Sequence, residues 1–333
     1  MAEKEQTLAE TGELEFIKRI KSMMPSEGGH ILRAAGDDCL AVETPAEHLM
    51  LYTTDTFVDS VHFTDEYATF EKIGCRCMAA SVSDIAAMSG LPQYSLVSLS
   101  MPPKITFNDA VSLFDGLSTT ASHYGCPVSG GETTSTPGPL TVTVTVIGSV
   151  EPERMITRSG ARAGDSIYVT GFPGDAMAGL LAFRTNEAGF VKLKKKFLTP
   201  EAKVLVARHL TESFSINAMI DVSDGIATDL RHICEESGKG AEVETGSLPL
   251  SLDFHKLMKK SGRDPIDFAL TAGEDFELLF TSDDTSIPDT FHALGCRVSR
   301  IGTVTGTPYE IELKLPGGSV QTLSAKGYEH FKS

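Results

Sequence analysis

No GxxxxGK[ST] loop occurs anywhere in the 333 residues; Gly238-Lys239-Gly240 has the residues without the spacing, which excludes a phosphate-cradling P-loop. The protein-kinase set of Gly-rich strand, His-Arg-Asp and Asp-Phe-Gly is missing too, as are GxSxG and HExxH. The EF-hand pattern D-x-[DN]-x-[DN]-G is absent. The six cysteines (Cys39, Cys75, Cys77, Cys126, Cys234, Cys296) show neither CxxC nor metal-ligand spacing and read as reduced thiols of a cytoplasmic protein. No stretch approaches the roughly 20 apolar residues that a membrane span needs. Met1 to Ile20 alternates acidic with apolar residues and lacks the apolar region of a signal peptide. Basic residues are scarce, 29 against 45 acidic ones for a net charge of −16. That balance argues against a nucleic-acid partner, whose phosphates demand a basic face. It suits a chain that gathers carboxylates around cations, and equally one kept acidic for solubility.

What is present is length and pattern. A chain of 333 residues, 41% of them hydrophobic, is expected to fold as two domains. A break near Gly148 to Glu153 divides it into 1–150 and 151–333. In the first part, helices are expected over Glu13–Met24, Phe70–Met88 and Asn108–His123, the last capped by Asn108. Strands are expected over His48–Thr54, Tyr94–Met101 and Leu140–Val146, where valines alternate with Thr141, Thr143 and Thr145. The second part reads as strand Ser166–Thr170, helices Asp175–Arg184 and Pro200–Thr211, strand Met219–Val222 and helix Gly225–Ser237. Strands Phe276–Thr281, Arg297–Val304 and Tyr309–Leu315 follow. The Lys192 to Lys196 run reads as a solvated surface. Without a repeated βαβ rhythm, internal repeat or low-complexity linker, the fold class is α+β, two α/β-containing domains with mixed or antiparallel sheets.

Six carboxylates stand in short motifs beside small residues: Asp38 in Gly36-Asp37-Asp38, Asp55 in Thr53-Thr54-Asp55, Asp84 in Ser83-Asp84, Glu132 in Gly130-Gly131-Glu132-Thr133-Thr134, and Asp221 and Asp224 in Asp221-Val222-Ser223-Asp224-Gly225. Hard divalent cations take oxygen ligands, and Mg²⁺ is usually shared between a few carboxylates and substrate phosphates. Each motif also has an ordinary reading. Asp84 could be a solvated or capping residue within its apolar helix, although buried there it would need a cation. Ser223 or Asp224 could simply be an N-cap, or part of a phosphate platform at a helix N-terminus. The double glycine could be a tight turn, or backbone that approaches phosphates closely. Arg158, in Thr157-Arg158-Ser159-Gly160, is either a solvated linker residue or a bidentate phosphate contact.

Taken in order with His62-Phe63, Val82-Ser83-Asp84-Ile85-Ala86-Ala87-Met88, Ala272-Gly273-Glu274-Asp275-Phe276-Glu277-Leu278 and Gly327-Tyr328-Glu329-His330-Phe331, these motifs resemble those of thiamine-monophosphate kinases, in the aminoimidazole-ribonucleotide synthetase superfamily. The resemblance runs from about Gly36 to Phe331. It implies ATP- and Mg²⁺-dependent transfer of a γ-phosphoryl group in line onto thiamine monophosphate. It further implies a homodimer formed through the N-terminal sheet and a C-terminal domain that closes over the site. By the resemblance, Asp38, Thr53, Thr54, Asp55, Asp84, Glu132, Asp221 and Asp224 surround several Mg²⁺ ions. Gly131, Glu132, Arg158 and Ser223 face ATP, and His62, Glu274 and Tyr328 face the thiamine phosphate. The family pattern usually carries Asp where this chain has Glu132, and often Ser at position 53. The alternatives are another enzyme of the superfamily (cyclisation in the purine pathway, formylglycinamidine synthesis or selenophosphate synthesis) and a non-catalytic cation-binding protein. Cys39, directly after Asp38, is the first cysteine, and a selenophosphate enzyme is expected to carry a reactive one early.

Overall fold

The computed structural model describes residues 31–33, 39–43 and 47–323; the expected helix Glu13–Met24, Asp38 and Tyr328 lie outside them. The Val/Thr alternation forms the inner strand of a six-stranded sheet in the order β1-β2-β3-β6-β4-β5. These strands are β1 (Ile31–Arg33), β2 (Leu40–Glu43), β3 (Leu49–Val58), β4 (Leu91–Met101), β5 (Val128–Ser135) and β6 (Thr141–Val150). Val142, Val144 and Val146 of β6 are fully buried. β4 and β5 run parallel and the other neighbours antiparallel, so the sheet is mixed. The Gly130-Gly131 pair is strand rather than turn. Its Cα-only residues let β5 close on β4, where a methyl on Gly131 would overlap the Val97 carbonyl.

Helices α1 (Phe70–Ala87) and α2 (Phe107–His123) follow; α1 packs on β3, β6 and β4, and α2 packs against α1. Thr106, not Asn108, caps α2: its hydroxyl accepts from Asp109 N at 3.1 Å and donates to Asp109 Oδ2. Asn108 already lies inside the first turn. The helices cross at Gly74 and Gly116, and a methyl at either would overlap the facing carbonyl, Leu113 O or Glu71 O. Gly74→Ala gains helix propensity but forces that crossing apart, for a net loss of about 2 kcal/mol. Thermal unfolding should show Tm lowered by about 4 °C, while Gly189→Ala, into open space, leaves it unchanged.

Among the described residues, no helix packs on the opposite face of this sheet. There Thr54 and Thr56 Oγ1 pair with Thr145 and Thr143 Oγ1, each at 2.9 Å, and Tyr52, Tyr94 and Leu96 are exposed.

The second half builds another mixed sheet, in the order β14-β13-β9-β12-β7-β10-β8 with β11 beside β12. Its strands are β7 (Ser166–Thr170), β8 (Ala218–Asp221), β9 (Gly240–Glu244), β10 (Leu278–Ser282), β11 (Thr290–Phe291), β12 (Cys296–Thr305), β13 (Ile311–Lys314) and β14 (Val320–Thr322). Only β9 and β13 pair in parallel. Helices are α3 (Asp175–Arg184), α4 (Val191–Leu198), α5 (Val204–Ser213), α6 (Ile226–Ser237), α7 (Leu252–Ser261) and α8 (Pro265–Thr271). Side chains of α6 pack on one face and those of α5 on the other, so β7, β8 and β10 are buried along their whole length.

The halves are clamped together. Arg208 of α5 holds both carboxylate oxygens of Glu151, at 2.6 and 2.8 Å, and donates to Ser89 O at 3.0 Å. Tyr124 Oη accepts from Ala202 N at 2.8 Å. Ala202, Val204 and Phe276 complete the core of the first half.

Candidate active site

Two strand ends, one helix and one strained segment meet between the halves. β3 brings Asp55, Thr56 and Phe57, and His62 follows it. α1 brings Ala80 and Asp84, and the turn between β8 and α6 brings Asp221, Ser223 and Asp224. Glu274 and Phe276 close a cavity of about 220 Å³. Asp55, Asp84, Asp221, Asp224, Ser223, His62 and Glu274 are thus gathered from 220 residues of sequence into one place.

The geometry around them is specific. Thr53, buried on β3, donates its hydroxyl to Asp84 Oδ2. His62 Nδ1 accepts from Val58 N at 3.0 Å, which leaves Nε2 as the protonated nitrogen of the neutral ring. Glu274 N donates to Ser223 O at 2.8 Å, and Phe276 N to Val222 O at 2.9 Å. Glu274 and Phe276 are both left-handed, at φ 66° and 50°, a costly conformation for non-glycine residues. It turns both side chains into the cavity.

Like charges crowd the site. Burial raises the Asp55 carboxyl above its ordinary range; a hydrogen bond with Ser81 opposes this and the negative charge of Glu274 adds to it. Asp229, buried in the first turn of α6, is pushed well above the usual carboxylate range by burial and then by Asp224 and Asp221. Its Oδ2 accepts from Asp224 N and Gly225 N. That corrects the capping expectation: neither Ser223 nor Asp224 caps α6, whose N-cap is Gly225, and Asp229 reaches back to tie down the turn.

Other expected residues lie elsewhere. Thr54 points to the sheet face opposite α1, with Thr145. Gly131 and Glu132 line a separate hollow of about 430 Å³ with Val97, Leu99 and Phe114. β5 is three strands from β3, about 14 Å away at ~4.8 Å per strand. Arg158 does not line the acidic cavity, but its charge is felt by Asp229.

Arg76 emerges only from the structure. Buried on α1, it pairs with Glu274, donates Nη1 to Phe197 O at 2.5 Å and stacks over the Phe197 ring at 4.1 Å. A lone arginine on the apolar stripe of Ile73, Cys77 and Ala80 was the available signal. Within the lysine run, Lys192 and Lys195 are exposed as expected, but Lys196 is drawn inward onto Glu277, because a buried carboxylate there needs a counter-charge.

The four aspartates and Glu274 offer oxygen donors, which suit a hard cation. Among the described residues no three His, Cys, Asp or Glu side chains come together closely enough to cage an ion alone. No helix among the described residues is long and apolar enough to cross a membrane.

Comparison with known proteins agrees with this geometry. The chain matches AIR synthase related protein, N-terminal domain, over residues 36–150 and the corresponding C-terminal domain over residues 162–314. It is 36% identical over 310 residues to the thiamine-monophosphate kinase of Bacillus subtilis, covering 89% of this chain and 93% of that one. With the Aquifex aeolicus thiamine-monophosphate kinase it shares 34% identity over 278 residues, covering 82% and 87%. A solved structure described as AaThiL complexed with AMPPCP and TMP superposes with a TM-score of 0.85 at 30% identity, covering 98% of this chain and 99% of that one. The hydrogenase maturation protein HypE in complex with ATP shares the fold, at a TM-score of 0.70 and 16% identity over 94% and 91% of the two chains. With an acidic interdomain cavity, both domain types and relatives matched over most of their length, the chain belongs to the thiamine-monophosphate kinase family.

Proposed function

We propose that this protein catalyses the ATP-dependent phosphorylation of thiamine monophosphate to thiamine diphosphate. The observation that carries the reading is the cavity in which Asp55, Asp84, Asp221 and Asp224 face Glu274 and His62, in a chain whose relatives are thiamine-monophosphate kinases. A relative of the same fold binds AMPPCP, an ATP analogue, together with TMP.

The acceptor is a phosphate oxygen already ionised at neutral pH, so the chain needs no general base. It needs to align two anions and offset their repulsion. Asp55, Asp84, Asp221 and Asp224 would hold Mg²⁺ here, with Asp38 and the Thr53 hydroxyl alongside; bound there, the metal supplies the positive charge that offsets both phosphate groups. Ser223 and Arg158 would face the nucleotide phosphates. His62, Glu274 and Tyr328 would position the thiamine phosphate, Glu274 being fixed by Arg76. The sheet face opposite α1, on which Tyr52, Tyr94 and Leu96 are exposed, supports a homodimer through the N-terminal sheet. Thr54 lies on that face and Glu132 is in register with Ser98 on the edge strand, so their roles toward metal and ATP, with that of Gly131, depend on what meets the sheet there. We assign residues 1–150 to nucleotide and metal binding and dimerisation, and 151–333 to closure over the site, in a cytoplasmic protein.

A coupled ADP-release assay with thiamine monophosphate and Mg²⁺, run beside aminoimidazole-pathway substrates, should respond to thiamine monophosphate alone; no release with it sinks the reading. Removing divalent metal should abolish release and re-adding Mg²⁺ restore it. His62→Ala should raise KM for thiamine monophosphate by about tenfold, corresponding to ~1.4 kcal/mol of binding, with little change in kcat.

A further inference from the structure

Behind the acidic cavity, on the other side of the 274–277 segment, lies one of opposite charge. The left-handed residues Glu274 and Phe276 face the acidic side, while Glu277 faces a cavity of about 320 Å³ whose lining carries five lysine or arginine side chains and three carboxylates. An excess of cations gathered in one hollow stands out in a chain of net charge −16.

The floor of this cavity is neutralised internally. Glu277, 2% exposed, receives Lys196 Nζ at 2.5 Å and Thr170 Oγ1 at 2.6 Å, and Lys203 Nζ lies 3.4 Å away. The two other carboxylates have partners of their own, Glu201 with Lys203 Nζ at 3.9 Å and Asp175 with the Ser251 hydroxyl at 2.8 Å, which leaves three cations at the rim. The ammonium groups of Lys192 and Lys195, successive turns of α4, have no carboxylate partner among the described residues. Arg297, at the start of β12, donates Nε to Ser299 Oγ at 3.1 Å and stands 5.8 Å from the centre of the Phe172 ring. Three cations facing one concave surface create a local positive potential and a fixed set of donors. A tetrahedral dianion offers an oxygen to each. The volume leaves room for an organic group against Phe172.

We propose that this cavity is a binding site for a small phosphate-bearing anion, held by Lys192, Lys195 and Arg297 and separate from the acidic cavity. The proposal does not rest on the kinase reading. Inorganic pyrophosphate titrated calorimetrically into metal-free protein at low salt tests it. Without divalent metal the clustered carboxylates repel a polyanion, so the heat reports the cationic cavity. Saturable binding of one pyrophosphate per chain is expected, weakened about tenfold or more by the Lys192→Ala/Lys195→Ala double variant, since each lost contact is charge-assisted though solvent-exposed. Both lysines are exposed, so the variant should keep the wild-type Tm. Arg297→Gln should weaken binding similarly, and Asp221→Asn should leave it intact. No saturable binding, binding that the double variant leaves unchanged, or binding lost in Asp221→Asn would each overturn the proposal. No turnover is involved, so a negative result leaves the kinase assignment standing, and absence of ADP release leaves this one standing.

Discussion

Asp221→Asn is expected to lower kcat by at least about 10³-fold while leaving the protein as stable as the wild type or more so. The substitution keeps size and shape at the end of β8, where Asp221 is 3% exposed and its backbone pairs with Leu278. What it removes is one negative charge from the group formed with Asp224 and Asp229, where burial first and then the charges of Asp224 and Asp221 raise the Asp229 carboxyl. Relief of that repulsion favours the fold. The same charge is what draws a cation to the phosphates, and losing ~4 kcal/mol of transition-state stabilisation corresponds to the factor of about 10³. Asp55→Asn should behave alike, since Asp55 is also raised by burial and by Glu274. Steady-state kinetics with Mg²⁺ varied, beside thermal unfolding of the same samples, measures both effects. Turnover within tenfold of wild type, in either variant, would remove the metal assignment.

Glu277→Gln should have the largest effect on stability, about 3 kcal/mol, because it leaves Lys196 and Lys203 facing each other without their shared carboxylate. Tm should fall by about 6 °C. The pH dependence has a definite sign. Burial alone would raise the Glu277 carboxyl, but Lys196 and Lys203 overcome it and hold the group at about 2 against an ordinary 4.5. A carboxyl depressed on folding contributes its full stability above the unfolded value and loses it as pH falls from about 4.5 toward about 2. The Tm gap between wild type and variant should therefore hold steady near neutrality and close in that acid window. A gap that widens on acidification would contradict the pairing.

How much of this was legible depends on how far apart the partners stand. β6 could be read because each residue alternates with its neighbour, and α1 because its stripe repeats every turn. The acidic cavity was legible through motifs, each a few residues long. β5 was not, since an exposed strand carrying two glycines has no burial pattern and reads as a turn. α4 was hidden because four lysines in six residues look solvated, and only the fold reveals that Lys196 turns inward to Glu277, 81 residues away. Arg76 and Glu274 stand 198 residues apart. A pairing of that span leaves no local trace in either segment. Asp229 escaped for a different reason, because it lies one turn past the motif it stabilises.

The crossing of α1 with α2 has a further consequence. α1 carries Arg76, which grips Glu274, and Asp84, which takes the Thr53 hydroxyl. Eight residues of helix separate them, about 12 Å at 1.5 Å per residue. Because Gly74 and Gly116 bring the helix backbones into contact, α1 has little freedom to slide or tilt. It therefore works as a gauge block: the interval between the grip on Glu274 and the carboxylate of Asp84 is set by helical pitch, independently of whatever lies between them.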